Sequence, residues 1–301
     1  MIKLGIMAPF GEGLNTSGEV LREVAAISED CGVESVWTVE HVVVANQYEQ
    51  LYPYSADGRM PGSAADTPMP DPLETIAFMA GASRTLKFGT AMVVAPLHSP
   101  VVLAKRAATI DRHSGGRLML GLGIGWQKEE YAAVGVPFRD RGRRLEDCVG
   151  AMRALWASAP ATFHGTHTDF DDLNSLPRPV SCAVPIVLGG NSEPVVNRAG
   201  RIADGWFPYT ITPDDFADMA DKLRSAAHSA GRAPDAVEMT AWPGSCDPER
   251  ELDVDWVRRY VNAGATRLIF SPNVMELRGA RGIVALRDQI HRYRSQVLEH
   301  L

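Results

Sequence analysis

The sequence predicts an α/β protein folded as a single (β/α)8 TIM barrel, and three observations carry that expectation. Short Val/Ile/Leu-rich runs alternate with helical patterns of ten to twenty residues, the signature of parallel strands joined by crossover helices. Eight strands and eight helices fall in that alternation, and eight parallel strands linked by right-handed crossovers close on themselves. Length agrees, because a barrel of about 250 residues plus two stretches that break the beat, 42–70 and 159–182, accounts for nearly all of the 301 residues. A doubly wound open sheet is the competing architecture.

The elements follow in order. The first strand is expected over 2–8, and its helix runs from an N-cap at Ser17 to Cys31, where Gly32 supplies a stop. Strand two covers 33–39. Asp71-Pro72, an acidic cap followed by a proline in the first turn, opens a helix that ends near Ser83. Strand three is 86–94, the next helix runs from Ser99-Pro100 to Gly115-Gly116, and strand four is 118–122. A glycine-rich loop, a short helix and a longer one over 139–157 follow, the last with Leu145, Val149, Met152 and Leu155 on one stripe. The beat continues with strand five at 185–188, a helix at 193–203, strand six at 205–209 and a helix from Thr212-Pro213-Asp214. Strand seven at 237–241, a helix at 253–263, strand eight at 267–270 and a last helix at 283–298 complete it.

Loops as long as 42–70 and 159–182 are uncommon in a compact domain and are usually functional or disordered. The first leaves the C-terminal end of strand two, which is the catalytic face of a barrel, so Tyr48, Tyr52, Pro53 and Tyr54 are candidates for a lid. A mobile surface loop is the competing reading.

Composition excludes several function classes. Thirty basic against 37 acidic residues leave a net charge of -7, with no basic tract to hold nucleic acid or an anionic membrane. No apolar run approaches the ~20 residues that a bilayer span requires, and the chain opens on an apolar strand, so a cytoplasmic protein is expected. Cys31, Cys148, Cys182 and Cys246 are too scattered for a zinc site or a disulfide framework. His164, His167, Asp169, Asp171 and Asp172 resemble a metal cluster only superficially, since the two histidines point to opposite sides of an extended segment and the aspartates read as a solvated turn. No H-E-x-x-H, G-x-S-x-G or P-loop pattern occurs.

Three places carry chemistry. Strand two ends in Glu40-His41, a carboxylate beside an imidazole at the barrel mouth, with His41 suited to proton transfer and Glu40 to fixing its tautomer or receiving a ligand. A helix-cap histidine with a structural carboxylate is the bland alternative. Gly121-Leu122-Gly123-Ile124-Gly125-Trp126 fails the G-x-G-x-x-G spacing, but glycine at alternate positions clears one strand face for a flat ring or for a neighbouring backbone. Gly189-Gly190-Asn191-Ser192 exposes backbone N–H groups at a helix N-terminus and would receive a phosphate, provided Glu193 turns outward; a plain capped turn reads the same way.

These motifs in order, with 35–41, 89–94, Pro96-Leu97-His98-Ser99-Pro100, 114–126, 135–138, Arg141-Gly142, 185–192 and 203–208, resemble the bacterial luciferase-like monooxygenase superfamily, and within it the oxidoreductases that use coenzyme F420. The resemblance covers nearly the whole chain. It implies a barrel, often a homodimer, with a flavin or deazaflavin at the C-terminal mouth and a small-molecule substrate. The matching cofactor contacts are Glu40, His41, Ala91, Met92, Gly125, Trp126, Gly189, Gly190 and Asn191, with Thr210 and Thr212 as further candidates. It also implies a non-prolyl cis peptide at Ala91-Met92 and a phosphate site after strand five. Glu40 stands where the family usually has Asp before His. The expected function is hydride transfer between F420 and a small organic molecule, with His41 assisted by Glu40 as the acid/base pair and no metal. The alternatives are an FMN-dependent two-component monooxygenase and a non-catalytic flavin- or deazaflavin-binding protein. With only five lysines, an anionic cofactor must be held mainly by backbone amides and hydroxyls.

Overall fold

The computed structural model describes residues 2–9, 13–60 and 64–301. Its strands are β1 (Lys3–Met7), β2 (Ser35–Thr38), β3 (Lys87–Thr90), β4 (Val93–Val94), β5 (Leu118–Gly123), β6 (Ala161–His164), β7 (Asp169–Leu173), β8 (Ile186–Gly189), β9 (Gly205–Phe207), β10 (Glu238–Ala241) and β11 (Arg267–Phe270). All but β6 and β7 join one sheet in the order β3-β2-β1-β11-β10-β9-β8-β5-β4. The decisive pairing is β3 with β5, Phe88 opposite Leu118 and Gly89 opposite Met119, because it closes the sheet into a barrel and excludes the open alternative. β3 and β4 are two halves of the third barrel strand, separated by the cis peptide Ala91-Met92. Eight parallel strands therefore line the barrel.

The crossovers are α1 (Gly18–Asp30), α2 (Pro72–Ala80), α3 (Pro100–Ser114), the pair α4 (Lys128–Ala133) and α5 (Arg141–Ala157), α6 (Glu193–Ile202), α7 (Pro213–Ser229), the pair α8 (Pro243–Cys246) and α9 (Val254–Asn262), and finally α10 (Val274–Arg278) and α11 (Ala285–Gln296). The expected caps at Ser17 and Asp71 form, Ser17 accepting from the Val20 N–H and Asp71 from Leu73 and Glu74, and Thr212 and Asp253 cap α7 and α9 by accepting from Asp215 and Trp256. α2 ends at Ala80, three residues before the expected Ser83.

The stretch 159–182 is not all loop. β6 and β7 form an antiparallel hairpin, with Phe163 opposite Phe170. Asp169-Phe-Asp-Asp-Leu carries no apolar alternation, so the sequence hid it; Phe163 instead packs so closely on α5 that a Cβ at Gly150 would come within 2.7 Å of its ring. Residues 61–63 of the 42–70 stretch lie outside the described residues.

Two apolar layers form. One lies between strands and helices; the other, Met7, Trp37, Met119, Val187, Phe207 and Ile269, fills the barrel interior. Trp37 lies so flat on β3 that a Cβ at Gly89 would sit 2.3 Å from its ring. Below it, at the N-terminal ends of the strands, Arg267 is 1% exposed and pairs with Glu34 at 2.9 Å and Glu238 at 3.0 Å. The floor of the barrel is thus an ion cluster, with Lys3 and Lys87 on the same two carboxylates. Among the described residues no helix is long and apolar enough to cross a membrane.

Candidate active site

The chain leaves β2 through Val39-Glu40-His41, and the two polar side chains part. Glu40 is buried and its carboxylate accepts the Val94 N–H at 2.6 Å and faces His98 Nε2 at 2.9 Å. Glu40 therefore braces the end of β2 against the end of β4 and does not fix the His41 tautomer, which corrects the expected pairing. His41 Nδ1 instead lies 3.2 Å from Oε2 of Glu130, a fully buried carboxylate in α4. Adjacent residues leaving a strand turn to opposite sides, and that rule outweighed the freedom expected at the end of the pleat.

Ala91 and Met92 sit at the mouth on top of the interior layer. The Met92 side chain is bedded on glycines from two neighbouring strands: a Cβ at Gly121 would come 1.7 Å from the Thr90 carbonyl oxygen, at Gly123 3.3 Å from Met92 Cβ, and at Gly189 2.5 Å from Met92 Cγ. The alternate glycines of β5 thus admit a neighbouring backbone, the second of the two readings. Gly125 (φ +62°) turns the chain under Val94, where a Cβ would meet Cγ1 at 2.7 Å, and delivers Trp126 to the rim.

Trp126 is the centre of an aromatic chain that crosses the mouth. His41 lies 5.9 Å from it, Tyr48 5.1 Å and Tyr52 5.2 Å, all edge-on. Tyr52 meets Tyr54 at 5.4 Å, Tyr54 meets Tyr209 at 4.9 Å and Tyr209 meets Trp242 at 5.4 Å. The tyrosines of the 42–60 loop therefore cover the barrel end. Burial, reinforced by Tyr209, pushes both the Tyr52 and Tyr54 hydroxyls up, so both stay protonated donors.

The loop is pinned by the segment before and within α4. Glu130 Oε1 accepts the Val42 N–H at 2.7 Å, Gln127 Oε1 accepts from Ala45 at 3.2 Å, and Glu129 accepts from Glu49 at 3.0 Å. Across the mouth, Gly190 (φ +121°) turns into α6, and Ser192 occupies its N-cap without spending its hydroxyl on the helix. Asn191 donates its amide to the carbonyls of Tyr209 and Thr210, at 3.1 and 3.3 Å, which orders the turn. Glu193 points away to Lys222 at 2.6 Å, as an anion site at this turn requires. Thr212 caps α7 and donates its hydroxyl proton to Asp215, and Thr210 donates its own to the Ser245 carbonyl, so neither hydroxyl proton is free for an anionic ligand. Between the ends of β10 and β11 lies Glu251. Burial raises its carboxyl, the Ser271 N–H and Trp242 pull it back, and the balance stands at about 7.

Sequence reading missed His98, Glu130, Tyr209, Trp242 and Glu251. Of these, His98 stood within the Pro96-Leu97-His98-Ser99-Pro100 motif without a role read from it, and Glu130 carried a signal as a carboxylate in the first turn of the short helix after the glycine run. The hairpin does bring His164 between Asp169 and Asp171, with His167 outside the group, but all three side chains are exposed and none faces a buried donor set.

The model of the luciferase-like monooxygenase family matches residues 2–299. An uncharacterised protein of Mycobacterium tuberculosis is 27% identical over 266 residues, covering 87% of this chain and 90% of its own. An FMNH(2)-dependent dimethylsulfone monooxygenase of Pseudomonas putida is 32% identical over 156 residues, 50% of this chain and 43% of that one. Among solved structures, the coenzyme F420 dependent tetrahydromethanopterin reductase from Methanopyrus kandleri superposes with a TM-score of 0.73 at 16% identity over 99% of both chains, a likeness of fold. Because the family model spans nearly the whole chain and the barrel closes as that fold requires, the chain belongs to the luciferase-like monooxygenase family of oxidoreductases.

Proposed function

We propose that the protein is an oxidoreductase that transfers a hydride between coenzyme F420 and a small organic substrate at the barrel mouth. One observation supports it above others: His41 stands at the mouth with Nδ1 on a buried carboxylate. Hydride delivery to a carbonyl or a polarised double bond requires a matching proton, and an imidazole so held exchanges one at Nε2.

The residues present fit such a cofactor. Ala91 and Met92 offer an apolar platform over the filled barrel interior, and the glycines that bed Met92 fix its height. Gly189, Gly190 and Asn191, with the unspent Ser192 hydroxyl at the N-terminus of α6, would hold the phosphate. Gly125 and Trp126 would border the ring, and Glu40 braces the wall behind it. When bound, the deazaflavin supplies the hydride; the chain orients both partners, excludes water under the tyrosine loop and moves the proton. The same reading takes the protein as a homodimer acting on a small molecule, with neither nucleic acid nor membrane as partner, which sedimentation equilibrium and binding assays would test.

The Pseudomonas relative supports a second reading, an FMN-dependent monooxygenase that consumes oxygen. Calorimetric titration of the apoprotein with F420 and with FMN, oxidised and reduced, separates them. The expected result is F420 binding in the micromolar range, about 8 kcal/mol, with turnover that persists without oxygen. Tighter binding of reduced FMN with strictly aerobic turnover supports the second reading. Affinity for neither below about 1 mM, roughly 4 kcal/mol, defeats both, and binding without reoxidation over a broad substrate panel leaves a binding protein.

A further inference from the structure

Glu130 holds two different things at once. Its carboxylate is fully buried, in the first turn of α4, eighty-nine residues from His41 in sequence. Oε2 faces His41 Nδ1 at 3.2 Å. Oε1 accepts the backbone N–H groups of Val42 at 2.7 Å and Val43 at 3.4 Å, the first residues of the tyrosine loop. One buried anion thus joins the imidazole at the mouth to the root of the loop that covers it.

A carboxylate can only accept hydrogen bonds, so a neutral imidazole facing it places its proton on Nδ1 and leaves the lone pair on Nε2. The loop contacts make that arrangement conditional. With Oε1 committed to Val42 and Val43, the carboxylate cannot rotate toward other donors, and Oε2 stays on the ring. If the loop root lifts, the anion is freed and the ring loses its orienting partner. We propose that Glu130 is the positioning residue of His41, fixing the Nδ1–H tautomer and tying it to the seating of the 42–60 loop. Its consequence for turnover rests on the acid/base reading of His41, but the tautomer itself is measurable without cofactor or substrate, so the two can fail separately.

Long-range 15N–1H correlation of the His41 ring in the cofactor-free protein above the imidazole titration reads the tautomer directly. The parent is expected to show Nδ1 protonated and Nε2 bare. Glu130→Gln offers both a donor and an acceptor of similar shape, so the tautomer ratio should move about tenfold toward Nε2–H, the difference between a charged and a neutral hydrogen bond. Protease cleavage within 42–60 should accelerate in the same variant. Gln127→Ala, which removes only the Ala45 anchor, should accelerate cleavage and leave the ring tautomer as in the parent while the loop root stays seated. A parent spectrum with the proton on Nε2 overturns the proposal even if Glu130→Gln does not fold. An unchanged ratio in Glu130→Gln overturns it, as does an equal shift in Gln127→Ala. With a known substrate, kcat should fall in proportion to the Nδ1–H population that is lost, with KM nearly constant.

Discussion

Gly121 and Gly189 both lie under Met92, yet they resist substitution for different reasons. A methyl at Gly121 would collide with a backbone carbonyl at 1.7 Å, whereas at Gly189 it would meet only the Met92 side chain, with Cγ at 2.5 Å and Sδ and Cε at 3.0 Å. Backbone cannot yield without moving β3, while a methionine re-packs. Gly121→Ala should therefore cost about 3 kcal/mol or more and Gly189→Ala roughly 1–2 kcal/mol. Urea midpoints at unchanged m-value test the order, and equal losses would remove the argument that Gly121 serves the neighbouring backbone. Sequence spacing singled out Gly121 but left open whether a ring or a backbone was its neighbour, and it marked Gly189 only as part of an anion site. It also placed Glu40 and His41 together, although one turns to Val94 and His98 and the other to Glu130. Adjacent positions identify a site; the direction in which each side chain leaves the strand decides its partner.

At the scale of elements, the 42–60 loop is a cover made of rings. Its hold on the barrel runs through Tyr52 to Trp126 and Tyr54 to Tyr209, with α4 gripping its root. Losing the Tyr54 ring removes its two aromatic contacts, with Tyr52 and Tyr209, and its buried area, roughly 2 kcal/mol of local stability. Tyr54→Ala should raise the rate of proteolytic cleavage within the loop ten- to hundredfold, while the global unfolding midpoint moves little, because the loop opens as its own unit. A global loss equal to the local one would show that the loop belongs to the cooperative core. Sequence placed this loop after β2 and marked its tyrosines. It could not show what they touch, since Tyr209 and Trp242 follow the ends of β9 and β10, more than 150 residues later. The β6–β7 hairpin escaped for a related reason: its support is α5 packing on Phe163, not an alternation of its own.

For the whole molecule, two half-buried carboxyls bend the stability curve at opposite ends. Burial alone would raise Glu34, but the Arg267 guanidinium, Ser35 and Lys87 outweigh it and hold it down to about 2. Its stabilising share is present above a pH of about 4.5 and is lost as the pH falls toward about 2. Glu251 runs the other way. Burial lifts it from 4.5 to about 7, so its contribution is complete below about 4.5 and disappears as the pH rises through about 7. That limb amounts to at most about 3 kcal/mol. Glu251→Gln should flatten the decline between pH 5 and 8 in denaturant titrations, and a parental decline in that variant would place its cause elsewhere.

Strand–helix alternation, the caps and the glycine and proline punctuation determined the order of strands and helices from sequence alone, because each is a local property of ten to twenty residues, whereas closure into a barrel was decided by the pairing of β3 with β5. The motifs likewise located the mouth as the site, since strand ends gather there in any such barrel. Only the tertiary structure decided which groups act together. The carboxylate that holds His41 is Glu130 and not its neighbour Glu40, and the ring chain over the mouth draws Tyr54 to Tyr209. Those contacts depend on barrel closure through β3 and β5, which brings residues distant in sequence within hydrogen-bond reach.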